Sequence, residues 1–310
     1  MKILRLTPSD NLENAINGLT GPAEIYLSNG VYRQKTEIKA NNVTVIGEDR
    51  FKTIITYDDY ANKIHADGKE YNTFRTYTLC ITGENVKLYN LTVENSNTNP
   101  AEVGQCVALS VNSKNFYAEN VRLKSTQDTL FMSPFPDDLV LRYRGFIPHN
   151  QLYMEGSGVH LFKNCEISGT VDFIFGCAEA YFYKCDIISL ADERNIGFIA
   201  APAHSLKQER GFNFVNCNLS ADGANKATVY LARPWRDFGK CDFISCNTGG
   251  HINPQLFDKW NDTERDKTAR FSYHGLDCAF TPSPVGWSKA LIKDEADKII
   301  NICKAKFSAE

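Results

Sequence analysis

The sequence predicts an all-β fold, a parallel β-helix, and three observations support this prediction. A short phrase recurs along the 310-residue chain, in seven copies: NVTV at 42, NLTV at 90, NVRL at 120, NCEI at 164, KCDI at 184, NCNL at 216 and SCNT at 245. The copies lie in alternating apolar segments such as HLFKNCEISG, which are typical of strands with one buried face. Their starts lie between 20 residues (164 to 184) and 48 residues (42 to 90) apart. Such irregular spacing is typical of a solenoid with constant rungs and variable loops.

The Asn and Cys of successive copies are expected to lie above one another in this solenoid. Asn amides would then hydrogen-bond along the stack, and Cys would act as a small apolar filler. The ten cysteines form no CxxC pair and no Cys/His cluster with zinc-like spacing. We therefore expect reduced, buried cysteines, no metal site and no cofactor.

The open ends of a solenoid need a cover, because exposed strand edges pair with other chains. Helical spacing near both termini predicts short capping helices, with apolar residues at Leu12, Ala15, Ile16 and Leu19 after Ser9 and Asp10, and at Ala296, Ile299, Ile300 and Cys303. No composition shift or linker divides the chain. We therefore expect one domain over residues 1–310, and a monomer.

Composition and charge exclude several classes of function. The chain is 43% hydrophobic and 23% charged, with a formal net charge of −3. This gives no basic excess for binding nucleic acid or anionic membranes. No run approaches the roughly 20 apolar residues of a membrane span, and MKILRLTPSDN contains only a fragment of a secretory signal. The prediction is a cytoplasmic protein, or a secreted one if a signal has been removed.

Four stretches carry polar residues that a hydrophobic rung does not need: GQCVALSV with Gln105, STQDTLF with Gln127 and Asp128, GTVDFIFG with Asp172, and YLARPW with Arg233 and Trp235. Each alone is compatible with a structural ion pair. Together, two carboxylates, two amides and one arginine are the parts of an acyl-transfer site without serine or histidine. Strand alternation is expected to turn Asp172 towards a groove and its neighbours, Val171 to Phe175, towards the core.

In their order along the chain, these motifs resemble those of the pectin methylesterase, or pectinesterase, family. The segments YLSNGVYRQKTEI and GWSKAL extend the resemblance over nearly the whole chain. The family's fold is a single-stranded right-handed parallel β-helix, the pectin lyase-like solenoid. The resemblance implies a substrate, which is pectin or a methylated oligogalacturonate, and the release of methanol.

Carried over by motif, the resemblance implies a role for each polar residue. Asp172 would attack the methyl ester to form an acyl-enzyme, and Asp128 would act as general acid and then as base. Gln105 and Gln127 would form the oxyanion hole, and Arg233 would orient Asp172. The resemblance also places Trp235, Thr73 and Phe175 along the substrate groove; for Trp235 and Phe175, core packing is the alternative.

Three features depart from the usual family pattern. Ala232 replaces a glycine, and its methyl group is expected to shift Arg233 slightly. The segment RFSYHG lacks the usual glutamate-tyrosine pair, which puts the far edge of the groove in doubt. Residues 133–158 form a stretch that is longer than in plant enzymes and resembles bacterial members. A long loop beside a site often carries function, and here it is expected to narrow the groove to short oligosaccharides.

Other functions remain open at this stage. A polysaccharide lyase or a polygalacturonase would share the solenoid, but the chain has neither the clustered acids of a calcium site nor the aspartate group of an inverting hydrolase. An esterase acting on another pectic ester, such as acetyl, and a non-catalytic pectin-binding β-helix are the two remaining alternatives.

Overall fold

The computed structural model describes residues 1–97, 100–154, 156 and 158–309. Within them, the chain winds repeatedly through three sheets of 11, nine and seven strands. Over residues 23–232, each turn passes from the 11-stranded sheet to the nine-stranded sheet and then to the seven-stranded sheet, and neighbouring strands pair in parallel. This is a parallel β-helix, in which each turn of the chain is one rung.

The strands are numbered β1 to β27 in chain order. The 11-stranded sheet consists, in spatial order, of β1 (Lys2–Leu6), β2 (Ala23–Leu27), β5 (Val43–Gly47), β8 (Val86–Tyr89), β11 (Asn115–Glu119), β14 (Val159–Lys163), β17 (Glu179–Tyr183), β20 (Phe212–Val215), β23 (Lys240–Ile244), β25 (Arg270–His274) and β27 (Lys289–Ala290).

The nine-stranded sheet consists of β3 (Gly30–Arg33), β6 (Thr53–Tyr57), β9 (Thr92–Asn95), β12 (Arg122–Lys124), β15 (Glu166–Gly169), β18 (Asp186–Leu190), β21 (Asn218–Asp222), β24 (Asn247–Thr248) and β26 (Asp277–Cys278). The seven-stranded sheet consists of β4 (Thr36–Ile38), β7 (Leu79–Ile81), β10 (Leu109–Val111), β13 (Leu130–Met132), β16 (Val171–Gly176), β19 (Gly197–Pro202) and β22 (Val229–Ala232).

Five α-helices lie outside the three sheets in the described part of the chain. They are α1 (Leu12–Asn17), α2 (Pro100–Val103), α3 (Asp137–Tyr143), α4 (His149–Leu152) and α5 (Lys293–Ser308), with 3-10 turns at Thr73–Arg75 and Arg265–Lys267. Among the described residues, no helix is both long and apolar enough to cross a membrane.

The copies of the recurring phrase lie at the corners of the rungs, but the first copy lies at a different corner from the other six. Asn90 lies at the corner between β8 and β9, and the later copies occupy the same corner with φ between 51° and 54°. Asn42 instead precedes β5, and its counterpart one rung on is Asn85, because Thr44 pairs with Lys87. The first copy is therefore out of register with the other six. Asn tolerates this left-handed backbone better than most residues do, which explains its recurrence.

The predicted hydrogen bonds between stacked Asn side chains are present at both corners. Asn85 donates to the Asn42 Oδ1 at 2.9 Å, and Asn115 donates to the Asn85 Oδ1 at 3.0 Å. At the other corner, Asn120 donates to the Asn90 Oδ1 at 2.8 Å. Each of these amides joins one rung to the next.

The predicted cysteine stack follows directly after the left-handed corner residues. Cys165, Cys185, Cys217 and Cys246 are buried and free, one on each of four successive rungs. Each thiol also donates to a backbone carbonyl of the preceding rung, at 3.2 to 3.5 Å. The thiols therefore fill space and also hydrogen-bond to a strand carbonyl of the preceding rung.

A column of phenylalanine rings forms the centre of the core. Phe162, Phe182, Phe214 and Phe243 occupy equivalent positions in the 11-stranded sheet. Successive centroids lie 4.9, 4.5 and 4.4 Å apart, and the interplanar angles are 12°, 9° and 3°. Stacking of one residue type at one register position follows from the parallel arrangement.

Helices form at both predicted places, with two differences in detail. Asn11 caps α1 by accepting from the Asn14 backbone N–H at 2.8 Å, in place of the predicted Ser9 or Asp10. The second helix, α5, does not cover the end of the solenoid. Its buried Cys303 packs in a cluster with Tyr181 and Val215, side chains of the 11-stranded sheet.

The C-terminal end of the solenoid is covered by aromatic residues outside any helix. Trp287 lies 5.6 Å from Phe271 and 6.2 Å from Phe257, measured between ring centroids. These rings close the last described rungs and leave α5 free to pack along the side of the sheet.

The phenylalanine column predicts a large stability effect at its centre. Phe214→Ala should lower the free energy of unfolding by about 3–5 kcal/mol, because it leaves a cavity between two stacked rings. Denaturant unfolding measures the change. Leu206, which is 64% exposed, provides the control, and Leu206→Ala should stay within about 0.5 kcal/mol of wild type. Equal losses in the two variants would contradict the account of the core.

Candidate active site

The polar residues singled out in the sequence meet on the outer face of the seven-stranded sheet. The backbone N–H of Cys106 donates to the Gln127 carbonyl at 3.0 Å, and that of Asp128 donates to the Val171 carbonyl at 3.1 Å. Gln105, Gln127 and Asp172 therefore lie on or beside three successive rungs, about one strand spacing apart.

Asp172 owes its direction to a break in the strand. Its φ is +50°, and the pairing of β16 with β19 shifts register between Val171 and Ile174. Simple alternation was the wrong prediction here. Phe173 and Ile174 both face the main core, whereas Phe175 packs in a second aromatic cluster outside the sheet. A bulge re-aims the strand, and the acid emerges on the groove side.

Arg233 holds the Asp172 carboxylate through two parallel hydrogen bonds. Its Nε donates to Oδ1 at 2.8 Å and its Nη2 donates to Oδ2 at 2.7 Å. The guanidinium carbon lies 3.9 Å from the ring centroids of both Phe198 and Trp260. Phe198 stacks in turn on Tyr230. The aromatic contacts fix the plane of the guanidinium and so orient both carboxylate oxygens.

Sequence reasoning missed Phe198 and Trp260. Phe198 lies in an apolar strand that reads as core. Trp260 belongs to no motif. The one feature of the sequence that could have indicated it is that tryptophan is rare here: the chain has three, and the other two, Trp235 and Trp287, lie in the motifs ARPW and GWSKAL.

Asp128 is the more deeply perturbed carboxyl. Its backbone is also left-handed, with φ +65°, and its side chain is buried. Burial raises the pKa of Asp128 well above its ordinary range, and the charge of Asp172 raises it further, while Arg233, Gln127 and Arg194 oppose the rise. No arginine forms a hydrogen bond to Asp128 within the described chain, so the protonated form is favoured there.

Asp172 is the carboxyl that ionises first. Burial raises its pKa, the charge of Asp258 adds to the rise, and the charge and hydrogen bonds of Arg233 and the charge of Arg194 oppose it. Since Asp172 alone holds the bidentate ion pair, it loses its proton at a lower pH than Asp128 does. The site thus combines an ionised carboxylate with a neutral carboxylic acid.

The two glutamines differ in how they are held. The Oε1 of Gln127 accepts from the Arg194 Nη1 at 3.1 Å, which leaves the amide N–H groups of Gln127 for other partners. Gln105 has no side-chain hydrogen bond within the described part of the chain. Both amides line the cavity in front of the two carboxyls.

A cavity of about 670 Å³ collects these groups. All eight site residues predicted from the sequence line it: Gln105, Gln127, Asp128, Asp172, Arg233, Trp235, Thr73 and Phe175. Thr73 begins the 3-10 turn at one wall. Phe175 is only 2% exposed, and the edge of its ring meets Trp235 at 5.6 Å between centroids. Phe175 therefore does both: it packs against its aromatic neighbours, and it lines the cavity.

The long stretch 133–158 forms one wall of this cavity through α3. Leu139, Arg142 and Tyr143 face the cavity from α3. Arg236 donates to both carboxylate oxygens of Asp138, at 3.0 and 2.7 Å, and ties the start of α3 to the segment after ARPW. The wall is fixed again at its far end, where the Tyr143 hydroxyl donates to the Asn72 Oδ1 at 2.7 Å.

The other two departures from the family pattern lie away from the cavity. The Ala232 side chain is fully buried in the main core, and Arg233 still makes both hydrogen bonds to Asp172. Residues 270–275 include β25 of the 11-stranded sheet, and none of them lines the cavity. This segment therefore lies on a different face of the solenoid from the cavity.

Within the described residues, no group of three or more His, Cys, Asp or Glu side chains is placed to hold a metal ion. The chemistry that the cavity supports is that of paired carboxyls. An ionised carboxylate can attack, a neutral acid can donate a proton, and two amides can bind a developing negative charge.

The raised pKa of Asp128 makes a prediction about stability. A carboxyl that stays protonated in the folded state lowers stability as the pH rises above its unfolded pKa, by about 1.4 kcal/mol per pH unit until the folded pKa is reached. Asp128→Asn removes this loss. The variant should be more stable than wild type at neutral pH and equal to it in acid, as measured by denaturant unfolding across pH. The exposed-acid control Asp186→Asn should follow wild type, and a gain for Asp128→Asn that is independent of pH would contradict the assignment.

Comparison with known proteins places this geometry in context. The pectinesterase family model matches residues 7–135 and 140–299. Pectinesterase QRT1 of Arabidopsis thaliana is 32% identical over 283 residues, which cover 88% of this chain and 66% of the relative. Pectinesterase 31 of the same plant is 28% identical over 304 residues, covering 94% of this chain and 86% of the relative. These relatives are plant proteins and do not support the predicted bacterial type.

Solved structures share the fold. Pectin methylesterase PemA from Erwinia chrysanthemi superposes with a TM-score of 0.77 at 23% identity, covering 96% of this chain and 94% of that one. Pectin methylesterase from carrot gives a TM-score of 0.77 at 22% identity, covering 94% and 89%. The predicted right-handed parallel β-helix is confirmed. With the family match over nearly the whole chain, these findings lead to one conclusion: the chain belongs to the pectinesterase family.

Proposed function

We propose that this protein removes methyl esters from pectin, that is, from methylated homogalacturonan or its oligomers, and releases methanol and free galacturonate. The observation that carries the proposal is the buried pair of unequal carboxyls, with Asp172 ion-paired to Arg233 and Asp128 without such a partner. Family membership supports the substrate class, and a pectin methylesterase of the same fold has been solved in complex with a hexasaccharide.

In the proposed mechanism, an oxygen of the ionised Asp172 attacks the ester carbonyl carbon. The negative charge that develops on the carbonyl oxygen is bound by N–H groups of Gln105 and Gln127. Collapse of this intermediate breaks the bond to the methoxy oxygen, which takes the proton of Asp128 and leaves as methanol. The product on the enzyme is a mixed anhydride between Asp172 and the galacturonate.

The second half of the reaction uses the same groups in reverse. Asp128, now ionised, takes a proton from water, and the resulting hydroxide attacks the anhydride. Asp128 keeps the proton it took from water, the bond between the acyl carbon and Asp172 breaks to restore the Asp172 carboxylate, and the galacturonic acid that leaves loses its proton to solvent. Arg233 holds both oxygens of the Asp172 carboxylate before the attack, and it would hold them again once the anhydride is hydrolysed.

The roles of the other lining residues are also part of the proposal. Trp235 and Thr73 would contact the sugar chain from two sides of the cavity, and Phe175 would support Trp235 from below. Arg142 faces the cavity from α3 and would offer positive charge to galacturonate carboxylates.

The assignment to a bacterial-type member and to one domain over residues 1–310 also stands as a proposal. The length of the 133–158 stretch supports the first. The second is supported by three sheets whose strands run from Lys2 to Ala290 in one continuous stack.

The first test asks whether Asp172 is the nucleophile. Asp172→Asn should reduce methanol release from methylated oligogalacturonate by at least about 10³-fold, because the amide is a poor nucleophile. Binding of the sugar should change little. Asp186→Asn, which alters an exposed strand acid, is the control and should keep wild-type activity.

Products are measured in parallel. Methanol indicates the methylesterase, acetate another pectic esterase, new reducing ends a glycosidase, and unsaturated ends a lyase. Sugar binding without any product would indicate the non-catalytic alternative. Normal turnover by Asp172→Asn would refute the mechanism.

We further propose that the α3 wall restricts the cavity to short oligosaccharides. The ion pair between Arg236 and Asp138 is partly exposed, so its loss costs little stability but frees one end of the wall. Asp138→Asn should raise the rate on long methylated polymer relative to short oligomers by several-fold, measured as methanol release from chains of graded length. Asp137→Asn, in the same helical turn and also exposed, is the control. A wild-type preference for long polymer would rule the restriction out.

A further inference from the structure

Arg194 lies beside the catalytic groups, yet no sequence motif includes it and the mechanism above does not use it. It belongs to the connection between β18 and β19, outside the four polar stretches. Its Nη1 donates to the Gln127 Oε1 at 3.1 Å, across a separation of 67 residues along the chain. This contact links the connection between β18 and β19 to an amide of the candidate oxyanion hole.

The Arg194 guanidinium is itself held in place. Its Nε donates to the Asp192 Oδ1 at 2.7 Å and its Nη2 donates to the Asp192 Oδ2 at 2.6 Å. The Asp192 carboxylate also accepts from the Arg194 backbone N–H at 2.9 Å, and the Asp192 side chain is only 4% exposed. With Nε and Nη2 engaged by a buried acid, the remaining end of the fork is presented to Gln127 in a fixed direction.

The hydrogen bond to Gln127 decides which way its amide faces. A glutamine amide can turn over and exchange its oxygen for its nitrogen, which would place an acceptor where an oxyanion needs a donor. Arg194 has only donors, so it accepts no N–H from Gln127 and selects the orientation with Oε1 towards itself. The N–H groups then point away from Arg194, towards Asp128, whose pKa the Gln127 amide lowers by hydrogen bonding, and towards the cavity that Gln127 lines. A cation on Oε1 also polarises the amide and strengthens these N–H donors.

The charge of Arg194 acts on the same carboxyls. Burial raises the pKa of both Asp172 and Asp128, and the positive charges of Arg194 and Arg233 partly offset this rise. The further charged groups around them are Asp258, which raises the pKa of Asp172, and Arg142 and Arg236, which line the same cavity. Loss of Arg194 therefore raises both pKa values.

We propose that Arg194, held by Asp192, is a positioning residue for the esterase reaction, which fixes and polarises the Gln127 amide as the oriented donor of the oxyanion hole. The inference rests on the proposed function for its kinetic consequences. The contact that it assigns to Gln127 stands on the geometry alone.

Arg194→Gln tests the proposal by kinetics. The variant should lower kcat for methanol release about tenfold or more, with KM changed less than about twofold, because the oxyanion exists only beyond the ground state. Both limbs of the pH–rate profile should move to higher pH. Arg194→Lys keeps the charge but loses the fork, so it should retain the wild-type pH profile while kcat falls. Arg33→Gln, which breaks an exposed ion pair with Asp58, is the control and should match wild type.

A second measurement does not depend on turnover. In a ¹⁵N–¹H spectrum, the side-chain amide signals of Gln127 are identified by their loss in Gln127→Glu. Arg194→Gln should shift these signals, whereas Arg33→Gln should leave them in place. Shifted signals without methanol release by wild type would uphold the contact and refute the proposed function. Unshifted signals with a wild-type kcat and pH profile would overturn the inference, and the loss of activity in Asp172→Asn would still support the function.

Discussion

The register between successive parallel rungs is the constraint on which the rest of this structure depends. The strands of successive rungs pair in parallel, so that each residue lies directly above its equivalent in the rung below. A residue type that recurs at one register position therefore forms a stack that runs along the solenoid. The phenylalanine column, the cysteine stack and the Asn ladders all arise in this way. The same register brings Gln127, Asp128 and Asp172 within one strand spacing of each other, although more than 40 residues separate the last two.

The site departs from this regularity where chemistry requires it. Asp128 and Asp172 both have left-handed backbones, and β16 carries a bulge at Asp172. Such conformations cost free energy, and they persist because the stacked rungs on either side hold them in place. The rigid solenoid thus supports two buried carboxyls in close proximity, an arrangement that burial and mutual repulsion would otherwise disfavour.

Three arginines determine the charge state and the orientation of the groups around the cavity. Arg233 faces one carboxylate with two donors and packs against two aromatic rings, so it stabilises the charged form of Asp172 specifically. Arg194 faces a neutral amide, and Arg236 holds α3 at the cavity wall. Each guanidinium is anchored by an acid, Asp172, Asp192 or Asp138, and this anchoring gives three flexible side chains defined directions.

The sequence by itself determined the class of fold, the family and the identity of the polar groups, because repeats, alternation and ordered motifs are local patterns. It also predicted helices near both termini. Only the tertiary structure decided which copies share a corner, that α5 lies along the 11-stranded sheet, and that Phe175 faces outwards. The partners of Arg233 and Gln127 were likewise invisible, since Trp260 and Arg194 lie in loops without a motif. Local patterns specify which rungs form; which side chains meet depends on register, bulges and loop paths, and these are fixed only when the whole chain packs together.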